Sequence, residues 1–186
     1  LAALRLVSVT MSLTTLDEEL KRVMEPRTSS AHSVLRTIRK LSEAGIPVNV
    51  NVAPIVPALN DEGIFDVVKA VAEAGALSAG MIVVRLNGHN GKLFEDWVTK
   101  NFPDRANKVL HQIKSMHGGK LNDSEWGRRM KGEGKFAEMI RMQFVMARQK
   151  FMTGRVFPPT NYDLYETTRN EMLRDLKDGK DQLKLF

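Results

Sequence analysis

An α/β fold built on a parallel sheet is what this sequence predicts, and three observations predict it. Residues 46–61 read IPVNVNVAPIVPALND, in which Val48, Val50 and Val52 alternate with Asn49 and Asn51. Period-2 alternation of β-branched residues is a strand pattern and not a helical one. Stretches of this kind alternate along the chain with stretches of helical apolar spacing, the order of a parallel sheet with right-handed crossovers. Two helix endings, SEAGI at residues 42–46 and AEAGA at residues 72–76, are near copies, and their glycines Gly45 and Gly75 lie 30 residues apart. That is about one strand–helix unit.

In order, residues 4–13 (LRLVSVTMSL) alternate apolar and small polar residues and read as a buried strand. Thr14 and Thr15 end it, and TLDEELKRVM reads as a short helix with a Thr or Asp cap, stopped by Pro26. Thr28, Ser29 and Ser30 offer caps to the next helix, whose stripe is Val34, Leu35, Ile38 and Leu41 and whose closing glycine is Gly45. In the central strand Pro54 and Pro57 have no N–H to donate, so the ladder is expected to stop there. Asn60 and Asp61 then offer side-chain oxygens to cap a helix carrying Ile64, Val67, Val68 and Val71. A third strand, MIVVRL at residues 81–86, stops at Asn87-Gly88.

From Lys92 the pattern is helical. Leu93, Phe94 and Trp97 form an apolar cluster broken by Pro103, residues 106–116 are amphipathic, and Gly118-Gly119 ends that run. A polar loop, NDSEWGRRMKGEGK, precedes a helix over residues 136–151 with Ile140, Phe144 and Ala147 along one side. Residues beyond Gly154 read as a loosely held tail with one helix near residues 165–176. The expected organisation is a strand-bearing part over residues 1–90, a helical region over 91–152 and a tail over 153–186.

The chain has 186 residues, 42% of them hydrophobic, enough for one domain with a real core. Lys plus Arg number 28 against 22 Asp plus Glu, so the net charge is +6, a balance that suits an anionic partner such as nucleic acid. No apolar run approaches the ~18 residues that suggest a membrane span. The opening LAALRLVSV lacks the charged start and cleavage site of a signal peptide, and a cytoplasmic protein is expected. With no cysteine the chain has neither disulfides nor thiolate metal ligands, and His32, His89, His111 and His117 show no zinc-site spacing. Three parallel strands are too few to close a barrel and leave a long unpaired edge. Because the sequence also opens at Leu1, directly in strand-like residues, the expectation is a fragment that dimerises through that edge or lacks the rest of a barrel.

Three blocks together carry a resemblance: SVTMSLTTLDEELKRVMEPRTSS (residues 8–30), AGIPVNVNVAPIVPALND (44–61) and HGGKLNDSEWGRRMKGEG (117–134). They resemble the C-terminal half of a radical SAM protein, of the DNA repair photolyase-like group related to spore photoproduct lyase. The resemblance covers roughly residues 4–152. It implies the C-terminal half of a partial (β/α)6 TIM-like barrel, three parallel strand–helix units followed by a helical C-terminal extension. It also implies S-adenosylmethionine (SAM) and a 4Fe-4S cluster held by a CxxxCxxC loop, which would lie in a missing N-terminal barrel half. The parent enzyme would cleave SAM reductively to a 5′-deoxyadenosyl radical. Neither cofactor is expected on this chain alone, which has no cysteine for the cluster.

Candidate SAM-binding residues follow from this resemblance, each with an ordinary structural alternative. Ser12, Thr14 and Thr15 end the first strand and would touch the ribose, or serve as helix caps. Arg27, in the EPRT loop, would pair with the methionyl carboxylate as a bidentate donor, or form a surface salt bridge. Asn51, with Asn49, would face a polar barrel lumen. Ala53, Pro54 and Ile55 resemble the segment packed on the adenine, though small apolar residues suit any core. Arg85, within an apolar strand, needs an anionic or carbonyl partner if buried: SAM, a substrate phosphate or a carboxylate of the protein.

Two further sites lie outside the strands. Arg128, Arg129, Lys131 and Lys135 cluster among three glycines, suiting nucleic-acid phosphates or simply solvent, and Trp126 beside them would stack on a base or anchor the loop. No Walker spacing is present. At the C-terminus, Gln182, Leu183, Leu185 and Phe186 (QLKLF) resemble the peptide that binds the bacterial sliding clamp. Three functions stay open: part of a radical SAM enzyme, a nucleic-acid-binding or clamp-associated module, and half of an ordinary phosphate-binding (β/α) barrel.

Overall fold

A computed structural model of the chain describes residues 1–121, 126 and 129–177. Three parallel strands, β1 (Val9–Ser12), β2 (Val48–Ile55) and β3 (Ser78–Val83), form one sheet in the order β1-β2-β3. Helices α1 (Glu18–Met24) and α2 (Ala31–Glu43) connect β1 to β2, and α3 (Ile64–Glu73) connects β2 to β3. Then come α4 (Asn90–Asn101), α5 (Pro103–Met116), α6 (Gly134–Met152) and α7 (Tyr162–Lys177). The α/β class and the parallel sheet are as the sequence predicts.

Alternation decides what each face of the sheet does. Val48, Val50 and Val52 are at most 1% exposed, and α2 and α3 pack on β2 from that side. Asn49 and Asn51 lie on the opposite face, in register with Thr10 and Ser12 of β1 and with Ser78 and Gly80 of β3. Beyond α3 the core continues through α6, where Ala137, Ile140, Phe144 and Ala147 are buried as the helical spacing predicts. Phe65 of α3 meets Phe151 of α6 edge to face at 6.4 Å.

Helix ends follow local chemistry. Asp17 caps α1 by accepting from the Glu19 and Leu20 amides, and Ser30 caps α2 by accepting from Ser33. Both near-copied glycines close their helices in the same way. The Gly45 amide donates to Ser42 O and Ile46 to Leu41 O, while Gly75 donates to Ala72 O and Ala76 to Val71 O. Such paired bonds need a left-handed residue, and φ is +71° at Gly45 and +101° at Gly75.

The strand boundaries differ from expectation. The first strand is shorter: residues 2–5 are turn, Leu4 is 51% exposed, and Thr10 and Ser12 are exposed rather than buried. β2 runs through Pro54, because a register irregularity between Val52 and Ile55, at the cis Ala53–Pro54 peptide, carries the ladder past the proline. β3 begins at Ser78 rather than Met81, since Ser78, Ala79 and Gly80 take strand geometry by pairing with Asn49, Val50 and Asn51.

After α6 the chain returns to the domain. Arg155 Nη1 donates to Ala76 O at 2.8 Å, and the Asn161 amide donates to Arg5 O at 2.9 Å. Among the described residues, the outer edge of β1 has no backbone hydrogen-bond partner. No helix among them is long and apolar enough to cross a membrane.

Candidate functional site

The carboxyl ends of β1 and β2 are drawn together by one side chain. Asn60, 6% exposed, donates through Nδ2 to Thr14 O and to Pro54 O, both at 3.0 Å, and its Oδ1 accepts from the Val56 amide at 2.7 Å. Sequence reasoning offers Asn60 only as a helix cap. It makes no side-chain cap bond, and instead spends donor and acceptor on the loops ending β1 and β2. Thr14 adds a bond from Oγ1 to Ala53 O at 3.1 Å, and the Leu13 amide one to Asn51 O at 3.0 Å. Three backbone groups that the proline loop would leave orphaned are thereby satisfied.

Below this brace lies the polar face, with the cross-strand rows Thr10–Asn49–Ser78 and Ser12–Asn51–Gly80. A Cβ placed on Gly80 would sit 3.0 Å from Asn51 Oδ1, so the missing side chain makes room for the Asn51 amide. The Asn49 and Asn51 amides make no side-chain hydrogen bond to any described residue, and this face presents amides and hydroxyls outward.

A cleft of about 420 Å³ opens where β2 and β3 end. Glu25, Pro54, Val84, Arg85 and the α4 residues Phe94 and Trp97 are among its walls. The two rings are 5.3 Å apart, and Trp97 also meets Phe102 edge to face at 5.6 Å, so the aromatic wall is held from behind. Arg85 lies just beyond β3, not inside it, and its Nε is buried with no hydrogen-bond partner. Arg85 makes no ion pair among the described residues. The one acid among the described residues of the wall, Glu25, is taken by Lys21, whose Nζ lies 2.7 Å from Glu25 Oε2. A buried polar group left unpaired costs about 1–3 kcal/mol, so Arg85 is an open valence of the fold.

The predicted SAM residues divide accordingly. Ser12 and Asn51 share a cross-strand row on the polar face, with Ala53 further along β2. Pro54 and Arg85 meet in the cleft. Thr14 is 2% exposed with its hydroxyl engaged, and Ile55 is 1% exposed within the core. Thr15, 5% exposed, accepts from the Asp17 amide through Oγ1. Arg27 is exposed on the loop before α2 and is not among the cleft residues, which the Met24–Glu25 end of α1 reaches instead.

Arg128 and the tail residues Gln182, Leu183, Leu185 and Phe186 lie outside the described residues. Arg129 packs its guanidinium 4.8 Å from the centre of the Trp126 ring, which is 86% exposed rather than a core anchor. Lys131 and Lys135 are exposed. Between them Gly132, with φ +67°, presses against Met116 and Ala137 where a Cβ would come within 3.1 Å and 3.3 Å of theirs. Met130 O accepts from the Val83 amide at 3.1 Å, which seats the basic loop on β3 two residues before Arg85.

Among the described residues, the acidity of Asp61 is displaced. Burial pushes its carboxyl above the usual aspartate range, only partly offset by backbone donors at Asp61 and Ala58. Among the described residues no group of three His, Asp or Glu side chains is placed to hold a metal ion.

Residues 1–71 match the family model of the Radical SAM superfamily. An uncharacterized protein of Mycobacterium bovis and two of Mycobacterium tuberculosis strains are each 31% identical to this chain over 104 residues. The alignments cover 55% of this chain and 31% of each relative, so the chain corresponds to less than a third of those proteins. No solved structure matches it significantly.

Proposed function

We propose that this chain is the later part of a radical SAM enzyme, contributing strands whose polar face receives SAM. The carrying observation is the Radical SAM match over residues 1–71, which falls on β1, α1, α2, β2 and most of α3, the elements that build this face and its brace. Ser12 and Asn51 would hydrogen-bond the ribose, and Ala53 would leave room beside them for the adenine. SAM bound there supplies the reactive group of the family's chemistry. The cluster does not fit this chain: it has no cysteine thiolate, and no step that depends on the cluster is assigned to its residues.

The finer reading is a DNA-repair-like, photolyase-like enzyme acting on nucleic acid. What supports it is the resemblance of the EPRTS and VAPIVPALND blocks, the net charge of +6, and the Arg129–Trp126 stack on an exposed loop.

Titration calorimetry of the whole parent protein with SAM and with S-adenosylhomocysteine tests the first reading. Binding that weakens about tenfold in Asn51→Ala, with unchanged folding, is the expected result. Wild-type affinity in that variant removes the polar face as the SAM site.

A further inference from the structure

The cleft around Arg85 goes beyond the SAM reading, because the polar sheet face accounts for none of its features. We propose that it is a separate binding site for a small ligand carrying a phosphate or carboxylate on a flat apolar body. Four observations converge on that chemistry. The guanidinium of Arg85 lines the cleft with a buried Nε that no described residue accepts from. A planar, permanently charged fork of this kind matches carboxylate or phosphate oxygens in pairs.

Second, Glu25 is the only acid among the described residues of the wall, and Lys21 holds it at 2.7 Å, so the remaining charge among them is that of Arg85. Third, Phe94 and Trp97 form a tilted aromatic pair on the opposing helix, a surface on which a ring can stack. Fourth, the volume of about 420 Å³ lies within the range of small-molecule pockets. Position agrees with chemistry, since ligands of parallel α/β folds gather at the carboxyl ends of strands.

The test uses the 186-residue chain with phenyl phosphate and benzoate as probes and phenol and inorganic phosphate as half-ligands. The Arg85 Nε–H signal and the Trp97 indole N–H signal are followed by 15N–1H NMR. Both signals should move with either full probe, the stronger binder telling phosphate from carboxylate. Each half-ligand should bind at least about tenfold more weakly. Arg85→Met should abolish the response, Arg85→Lys should keep part of it, and Trp97→Leu should weaken phenyl phosphate without changing inorganic phosphate. Thermal unfolding of each variant separates lost binding from lost fold. An unmoved Arg85 signal, or phenol binding as well as phenyl phosphate, overturns the assignment. Displacement of phenyl phosphate by SAM also overturns it, by giving the cleft to SAM while leaving the parent reading intact.

Discussion

The side-chain amide of Asn60 donates to the carbonyl of Thr14, 46 residues earlier, at 3.0 Å, and so ties the end of β1 to the loop after β2. Replacing Asn60 with Ala removes this bond, the one to Pro54 O and the one from Val56 N in a buried site. A loss of about 3 kcal/mol is expected, read as a lower urea midpoint at unchanged slope. Asn60→Asp should fare no better, since it sets a carboxylate against two carbonyls. A midpoint shift worth under about 0.5 kcal/mol would show that these loops hold without the brace.

Asp61 makes stability depend on pH. Its folded pKa is raised, so the folded state binds the proton more tightly than the unfolded chain. The stability this contributes is full below the ordinary aspartate pKa of about 4 and is lost as pH rises through the higher folded value. Asp61→Asn should therefore be the more stable protein at neutral pH, with the advantage shrinking toward pH 4. Parallel stability curves for the two proteins from pH 4 to 7 would contradict it.

Gly45 and Gly75 occupy the same helix-closing position but not the same space. A Cβ at Gly45 meets nothing within 4 Å, whereas one at Gly75 would lie 2.7 Å from Ser42 Cβ. Gly45→Ala should cost about 1 kcal/mol, the strain of a left-handed alanine. Gly75→Ala should cost at least about 1 kcal/mol more from overpacking, and Ser42→Gly should restore the difference. Equal thermal shifts for the two variants would show that the α2–α3 contact yields freely.

The basic loop should bind polyanions. Changing Arg128, Arg129 and Lys131 to Ala should weaken single-stranded DNA binding and flatten its salt dependence by about one log–log unit per lost phosphate contact. Trp126→Ala should weaken binding without altering that slope. A triple variant with the wild-type slope would assign these charges to solvent.

The QLKLF terminus should confer binding to a bacterial sliding clamp, through Leu185 and Phe186 as apolar anchors and Gln182 as a polar contact. Surface plasmon resonance with purified clamp, comparing the chain with one ending at Lys180, reads this out. Equal responses from the two would exclude the tail as a clamp ligand.

What the sequence shows plainly here is whatever local chemistry decides. The VNVNV alternation gives a strand with one apolar and one polar face, and the paired glycines close their helices as their spacing predicts. Less legible are features created by distant contacts. Ser78–Ala79–Gly80 has poor strand propensity and is made a strand by its neighbour. The amide of Asn60 suits a cap as well as a brace, and only the closeness of Thr14 selects the second use. Likewise, Arg85 is conspicuous within MIVVRL, but the aromatic wall facing it comes from α4, and nothing in local spacing joins Arg85 to Trp97.

The bond from Val83 to Met130 has a consequence for how the sheet can enlarge. A newcomer on the β3 flank must first evict that carbonyl and the glycine-rich segment wedged over α5 and α6. On the β1 flank, the outward backbone groups of Val9–Ser12 have no hydrogen-bond partner among the described residues. A further strand, the preceding barrel strand of the proposed parent included, would therefore add at the β1 margin, because the β3 margin is blunted.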